Sequence, residues 1–92
     1  MIPIKTSNQK ASNLVERKIE FQGSNTFGVW ERDKGVYKVY SYGFHFPMYA
    51  WKNGRWYSNI DKYSSTTSKQ QSQLRPDVDF FAELDTNKMI KL

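Results

Sequence analysis

The chain has 92 residues, a length that suits one domain with one small core. Its 14 Lys and Arg residues outnumber 9 Asp and Glu residues, so the net charge is +5 and a phosphate-bearing partner is favoured. The absence of cysteine and the presence of one histidine exclude disulfides, thiolate zinc sites and multi-histidine metal sites. We expect no cofactor.

The N-terminal part of the chain is predicted to be an arm followed by two strands. Residues 1–13 are polar and predict a flexible arm, and residues 14–92 are assigned to a single small β-rich domain. From Leu14 to Phe21 apolar and charged residues alternate, which predicts a half-buried strand. A turn around Gly23 leads to a second strand over residues 26–31.

Two hairpin turns organise the middle of the chain. Asp33-Lys34-Gly35 predicts a short connection into a long strand from Val36 to Phe46. Pro47 is expected at a corner or an edge before a strand that ends at Lys52. Asn53-Gly54 then predicts a two-residue type I′ turn, because both of its positions need a positive φ.

The C-terminal third is less apolar. Thr66 to Leu74 is predicted either as a helix ended by Pro76 or as an irregular loop. Phe80, Phe81 and Leu84 predict one helical turn. The predicted fold is α+β: a small antiparallel β-meander of about five strands with one or two short C-terminal helices. Aromatic residues, which make up 16% of the chain, are expected to supply most of the core.

Several sequence blocks follow one another in a specific order. They are Gly23-Ser24-Asn25, Val39-Tyr40-Ser41-Tyr42-Gly43, Trp56-Tyr57 and Lys62-Tyr63-Ser64-Ser65-Thr66-Thr67-Ser68-Lys69. In order and spacing they resemble a family of small uncharacterised proteins encoded by tailed bacteriophages and mobile elements. The resemblance covers residues 21–76 and implies a phage or mobile-element origin, without an assigned activity.

Positive charge and aromatic rings are interleaved between Trp51 and Arg75. Cations that neutralise phosphates beside rings that stack on bases are typical of proteins that bind single-stranded nucleic acid. The alternative is that the rings belong to the core and the cations keep the surface soluble. The candidate nucleic-acid-binding residues are Lys52, Arg55, Trp56, Tyr57, Lys62, Tyr63, Lys69 and Arg75.

Three other groups of residues invite a chemical interpretation. At the start of a helix the hydroxyls of Ser65, Thr66, Thr67 and Ser68 could bind an anion, or they could satisfy the local backbone. His45 has no predicted partner for acid–base catalysis and is interpreted as structural or exposed. The acids near the C-terminus are interpreted as a solvated face, with Asp77 or Asp79 capping a helix; they are Asp77, Asp79, Glu83 and Asp85.

These patterns predict a non-catalytic, phage-type accessory protein that binds nucleic acid, with single strands favoured. The alternative is a protein-interaction module that inhibits or redirects a host protein. No apolar run approaches the roughly 18 residues of a membrane span, and the N-terminus lacks a signal-peptide pattern, so we expect a location in the host cytoplasm. Exposed edge strands make a homodimer a further expectation.

Overall fold

The computed structural model describes residues 4–6, 8–23, 25–41, 46–61, 65–76, 78 and 81–92, and for residues 8–10, 65–68 and 73 it describes the backbone alone. Its elements are β1 (Ile4–Lys5), α1 (Asn8–Glu16), β2 (Phe21–Gln22), β3 (Thr26–Glu31), β4 (Val36–Ser41), β5 (Pro47–Lys52), β6 (Arg55–Asn59), α2 (Ser65–Leu74), β7 (Ala82–Leu84) and α3 (Thr86–Ile90).

The strands form one sheet in the order of the sequence, from β1 at one edge to β7 at the other. Strands β2 to β6 pair antiparallel, whereas β1 with β2 and β6 with β7 are parallel pairs. Parallel neighbours need a crossover, which α1 and α2 supply at the two edges. The predicted small, mostly antiparallel β fold with short helices is confirmed, but the described sheet has seven strands rather than about five.

Side chains of the central strands alternate between two faces of the sheet. Helices α1 and α2 pack against each other and cover the face that buries Tyr37 and Trp56. On the opposite face α3 contacts β5 and β6, and its Met89 packs with Val36 and Ala50. We call these two surfaces the helix-covered face and the α3 face.

Aromatic rings form much of the core, as the composition predicts. The Trp56 ring meets the Tyr37 ring edge-on with centroids 6.4 Å apart, and the Trp30 ring lies 5.5 Å from the same Tyr37 ring. Such pairs add to the burial energy of the rings themselves. The described rings that are buried belong to Phe21, Tyr37, Tyr40, Phe46, Tyr49 and Trp56.

The predicted strand over residues 14–21 is wrong, because most of this segment belongs to α1 and the turn that follows it. Ala11 and Val15 are both fully buried, and their i, i+4 spacing places them on one side of the helix. Within the segment predicted as an arm, residues 1–13, the structure forms β1 and the beginning of α1. The few apolar residues in this region leave too weak a periodicity to distinguish helix from strand.

The predicted helical turn around Phe81 and Leu84 is also wrong, because this segment forms β7 beside β6. The helix begins later, at Thr86, and the side chain of Asp85 caps it by accepting the Lys88 N–H at 2.9 Å. The predicted caps Asp77 and Asp79, together with Phe80, lie outside the described residues.

Of the other local predictions, the helix is confirmed, and those for Pro47 and for the long strand are met in part. The Ser/Thr/Gln-rich segment forms α2, within one residue of the predicted helix, rather than a loop. Pro47 is the first residue of β5, a position that tolerates its missing N–H, and the β4–β5 register shifts beside it. The long strand predicted from Val36 ends at Ser41, and residues 42–45, with Gly43 and His45, lie outside the described residues.

The Asn53-Gly54 turn joins β5 to β6 as predicted. Both residues have a positive φ, 53° for Asn53 and 78° for Gly54, as a type I′ turn requires. The turn brings Lys52 directly opposite Arg55, so these two residues lie at the same end of the sheet.

We expect Gly54→Ala to lower the free energy of unfolding by about 1 kcal/mol, because a Cβ disfavours the left-handed backbone of this position. Urea unfolding would measure the change. Gly54→Asn is the matched control, since asparagine tolerates this conformation and should recover most of the loss. Equal stability of the alanine variant and the wild type would contradict this explanation of the turn.

Candidate nucleic-acid interface

Strand alternation separates three neighbouring residues of the predicted interface. Arg55 and Tyr57 lie on the α3 face, whereas Trp56 points to the helix-covered face and is only 7% exposed. The prediction that Trp56 stacks on a base is therefore wrong for the folded protein, because its ring is sealed against Tyr37 and the core. A basic residue and a ring that are adjacent in a strand cannot share one face.

Cations from two neighbouring turns gather at one end of the sheet. Lys52 pairs with Arg55 across β5–β6 and with Val36 across β4–β5, which brings the β3–β4 turn alongside the β5–β6 turn. We call this group the basic end; its residues are Arg32, Lys34, Lys52 and Arg55. Three of these side chains are exposed, and that of Lys52 is half-buried. Sequence analysis predicted Lys52 and Arg55 but did not predict the contribution of the β3–β4 turn.

A buried lysine lies behind the basic end on the α3 face. Lys38 is 1% exposed, and its Nζ lies 3.4 Å from Glu31 Oε2 and donates to the Ile90 carbonyl at 3.1 Å. Burial lowers the pKa of Lys38, the Glu31 carboxylate opposes that shift, and the charges of Lys34 and Lys52 lower the pKa further. Positive charge is therefore concentrated at this end of the sheet.

Two acids belong to the same region. Glu31 interacts with other residues of the protein: its carboxylate forms ion pairs with Lys38 and Lys34 and accepts a hydrogen bond from the Tyr40 hydroxyl at 3.2 Å. Asp33 is exposed in the β3–β4 turn. The four cations of the basic end still outnumber these two carboxylates, so the end presents net positive charge to a ligand.

The remaining predicted cations that the structure describes lie elsewhere. Lys69 is exposed on α2, and the exposed Arg75 places its guanidinium 4.8 Å from the centre of the Phe81 ring. Phe81 in turn packs against Tyr49 on the helix-covered face. The single patch predicted from Trp51 to Arg75 is therefore split between the two sides of the sheet.

Two parts of the predicted interface cannot be assigned to a surface. Lys62 and Tyr63 lie outside the described residues. The predicted anion-binding segment forms the first turn of α2, where the side chains are likewise outside the description; its residues are Ser65, Thr66, Thr67 and Ser68. Their role in binding an anion remains a prediction.

The structure adds a contact that the sequence analysis missed. The Lys18 ammonium lies 4.9 Å from the centre of the half-buried Trp51 ring, within the range of a cation–π interaction. The Trp30 indole N–H donates to the Lys18 carbonyl at 2.8 Å, and the Tyr37 hydroxyl donates to the Ile19 carbonyl at 2.7 Å. These bonds fix the turn after α1 against the end of the sheet that carries the basic end.

No sequence signal indicated this contact, because Lys18 was assigned to a strand and its approach to Trp51 depends on the turn that ends α1.

Within the described ranges, no group of three His, Cys, Asp or Glu side chains is placed to hold a metal ion. None of the described helices is long and apolar enough to cross a membrane.

Comparison with known proteins gives no relative: no family model, no curated protein and no solved structure matches this chain. Its function is therefore inferred from its own geometry.

Proposed function

We propose that this protein is a non-catalytic domain that binds nucleic acid through the basic end. The observation that carries this proposal is the convergence of four cations from the β3–β4 and β5–β6 turns on one end of the sheet. Each cation that neutralises a phosphate releases a counterion, so a cluster of this kind favours a polyanion. The phosphate backbone of nucleic acid is a partner of matching chemistry.

Single strands are the favoured form of the ligand. Half-buried rings flank the basic end on both faces: Tyr57 lies two residues beyond Arg55 on the α3 face, and Trp51 directly precedes Lys52 on the helix-covered face. Unpaired bases can stack on such rings, whereas the bases of a duplex are already stacked on one another.

We expect the double variant Lys52→Ala/Arg55→Ala to bind a labelled single-stranded oligothymidine at least about tenfold more weakly than the wild type at low salt. The slope of log K against log salt should become shallower by about 1.4, since each lost phosphate contact removes about 0.7 for a single strand. Fluorescence anisotropy over a series of potassium chloride concentrations would measure both quantities.

Lys5→Ala/Lys69→Ala is the matched control, because it removes the same charge from two exposed residues outside the basic end. Lys5 pairs with Gln22 near the β2–β3 turn, and the residue after Lys69 hydrogen-bonds to Ser41 at the end of β4, so both lysines lie toward the opposite end of the sheet. Equal losses in the two double variants would contradict a localised interface.

An acidic surface on a host protein is the competing partner, because it would also be attracted to the basic end. Capture of partners from a host lysate, with and without nuclease treatment, separates the two. Loss of the bound material after nuclease treatment would support the proposal. A protein that stays bound after nuclease treatment, and is released by Lys52→Ala/Arg55→Ala, would overturn it in favour of the interaction module.

A further inference from the structure

We propose that Trp51 is the base-stacking residue of this interface, and that the Lys18 ammonium covers its ring until an unpaired base takes its place. This inference rests on the proposed function and names the residues that would make the site select single strands. Trp51 meets two geometric requirements: its ring is half-buried rather than sealed, and it lies at the end of the sheet that carries the basic end, on the helix-covered face where Lys18 also lies.

The ring of Trp51 is supported but not stacked on its neighbour. Trp51 and Trp30 lie with centroids 6.0 Å apart and planes at 76°, an edge-to-face arrangement rather than parallel stacking. Lys18 Nζ lies over the ring at 4.9 Å. The cover is therefore a charged group at the end of a flexible chain, rather than a packed apolar side chain.

The backbone below this ammonium is held in an unusual conformation. Lys18 has a φ of 57°, and the Ile19 N–H donates to Leu14 O while the Lys18 N–H donates to Val15 O, both at 2.9 Å. This is the Schellman ending of a helix, and the residue in the left-handed position is usually glycine. The left-handed backbone disfavours lysine at this position, and we infer that the Lys18 side chain has a function beyond the turn itself.

In this turn the main chain of Lys18 is held in place, whereas its side chain can move. The Lys18 carbonyl accepts the Trp30 indole N–H, which anchors the main chain beside the ring. The side chain of Lys18 has four flexible methylene groups, and a cation–π contact is worth no more than a base stacked on an indole. A base can therefore displace the ammonium.

The displaced ammonium would remain within reach of the ligand. Its chain starts beside the basic end, so it can pair with a phosphate of the strand whose base has taken the ring. The exchange gives one stacked base and one phosphate contact in place of one cation–π contact. Only an unpaired base can enter in this way, so the exchange selects single strands over duplex.

The test compares one sequence as a single strand and as a duplex, with binding measured by fluorescence anisotropy. We expect Trp51→Leu to weaken single-strand binding by about tenfold or more, and duplex binding by less than about twofold. Lys52→Ala/Arg55→Ala should weaken both. Equal effects of Trp51→Leu on the two forms, or no effect on either, would overturn the role of Trp51 while leaving the proposed function intact.

A second variant tests the exchange itself. Lys18→Gly suits the left-handed backbone and removes the ammonium, so it should fold at least as well as the wild type and bind single strands with a salt slope shallower by about 0.7. At high salt, where phosphate contacts are screened, it should bind at least as tightly as the wild type. An unchanged slope would overturn the exchange. A wild-type protein that binds neither form would overturn the proposed function as well.

A fluorescence measurement tests the role of Trp51 without depending on whether Trp51→Leu folds. The tryptophan fluorescence of the wild type should be quenched by the single strand and not by the duplex, and the quenching by the single strand should be lost in Trp51→Phe. Quenching of the same size by both ligands would contradict selection through this ring.

Discussion

Truncation of Trp56 to alanine is expected to lower the free energy of unfolding by about 3–5 kcal/mol, as for other large buried aromatics. Its ring is 7% exposed, belongs to the core under α1 and α2, and meets the Tyr37 ring edge-on. Small domains have about 5–15 kcal/mol of stability in total, so this single truncation would remove a large part of it. Urea unfolding followed by circular dichroism would measure the loss.

The conservative variant Trp56→Phe is the matched control, because it keeps a buried ring and should cost much less than the alanine variant. This comparison also bears on function. If Trp56→Ala kept the stability of the wild type and lost nucleic-acid binding, the ring would belong to the interface rather than to the core. A loss of binding that only accompanies unfolding would instead agree with the position of Trp56 in the structure.

The second large effect is a loss of stability at alkaline pH. Burial raises the pKa of Tyr37, with a smaller contribution from the Glu20 carboxylate, and burial raises the pKa of Tyr49 to about 12 against the opposing charge of Arg75. Burial and then Glu31 also raise the pKa of Tyr40. In the folded protein these hydroxyls act as hydrogen-bond donors, for example from Tyr49 to the Gln71 carbonyl at 2.6 Å.

The direction follows from the protons bound in each state. Below about pH 10 a tyrosine is protonated both folded and unfolded, so its stabilising effect is complete. Above that pH the unfolded chain ionises while the folded one does not, and each such tyrosine lowers the free energy of unfolding by about 1.4 kcal/mol per pH unit. Tyr37 and Tyr49 together should remove roughly 3 kcal/mol by about pH 11, and Tyr40 acts in the same direction.

Lys38 acts in the opposite direction over an adjacent range. Its pKa is lowered in the folded state, so its contribution to stability rises with pH up to the unfolded value of 10.5 and then stays constant. The tyrosines should therefore dominate above that pH. Urea unfolding between about pH 10.5 and pH 11.5, with tyrosinate absorbance as a second probe, would measure the effect. A free energy of unfolding that stays constant over this range would contradict it, and Tyr37→Phe should reduce the slope.

Local sequence signals predicted the elements whose geometry is local. Asn53-Gly54 determines its own turn through two positive φ angles, and the Ser/Thr/Gln-rich segment ends as a helix before Pro76. The sequence analysis missed β7 because this strand forms by pairing with β6, which lies more than twenty residues earlier in the chain. The sequence analysis missed α1 because Ala11 and Val15, the buried residues among its described side chains, carry too little apolar surface to dominate the pattern.

In the candidate site too, the features set by local sequence were predicted and those set by distant contacts were not. The β5–β6 hairpin was predicted, and with it the pairing of Lys52 and Arg55 at one end of the sheet. The sequence could not predict which face of the sheet Trp56 occupies. Trp51 and Trp56 lie on the helix-covered face and Tyr57 lies on the α3 face, and rings on either face are apolar enough to form a core. The contact between Lys18 and Trp51 requires the left-handed turn after α1, which no residue type in that segment signals.

The two outermost strands of the described sheet are short: β1 pairs two residues with β2, and β7 pairs three with β6. Among the described residues, a strand added from a second molecule would find few unpaired main-chain groups at either edge strand, and short edge strands disfavour edge-to-edge association. Self-assembly by sheet extension would thus yield little free energy, which leaves the basic end as the better place to meet another molecule.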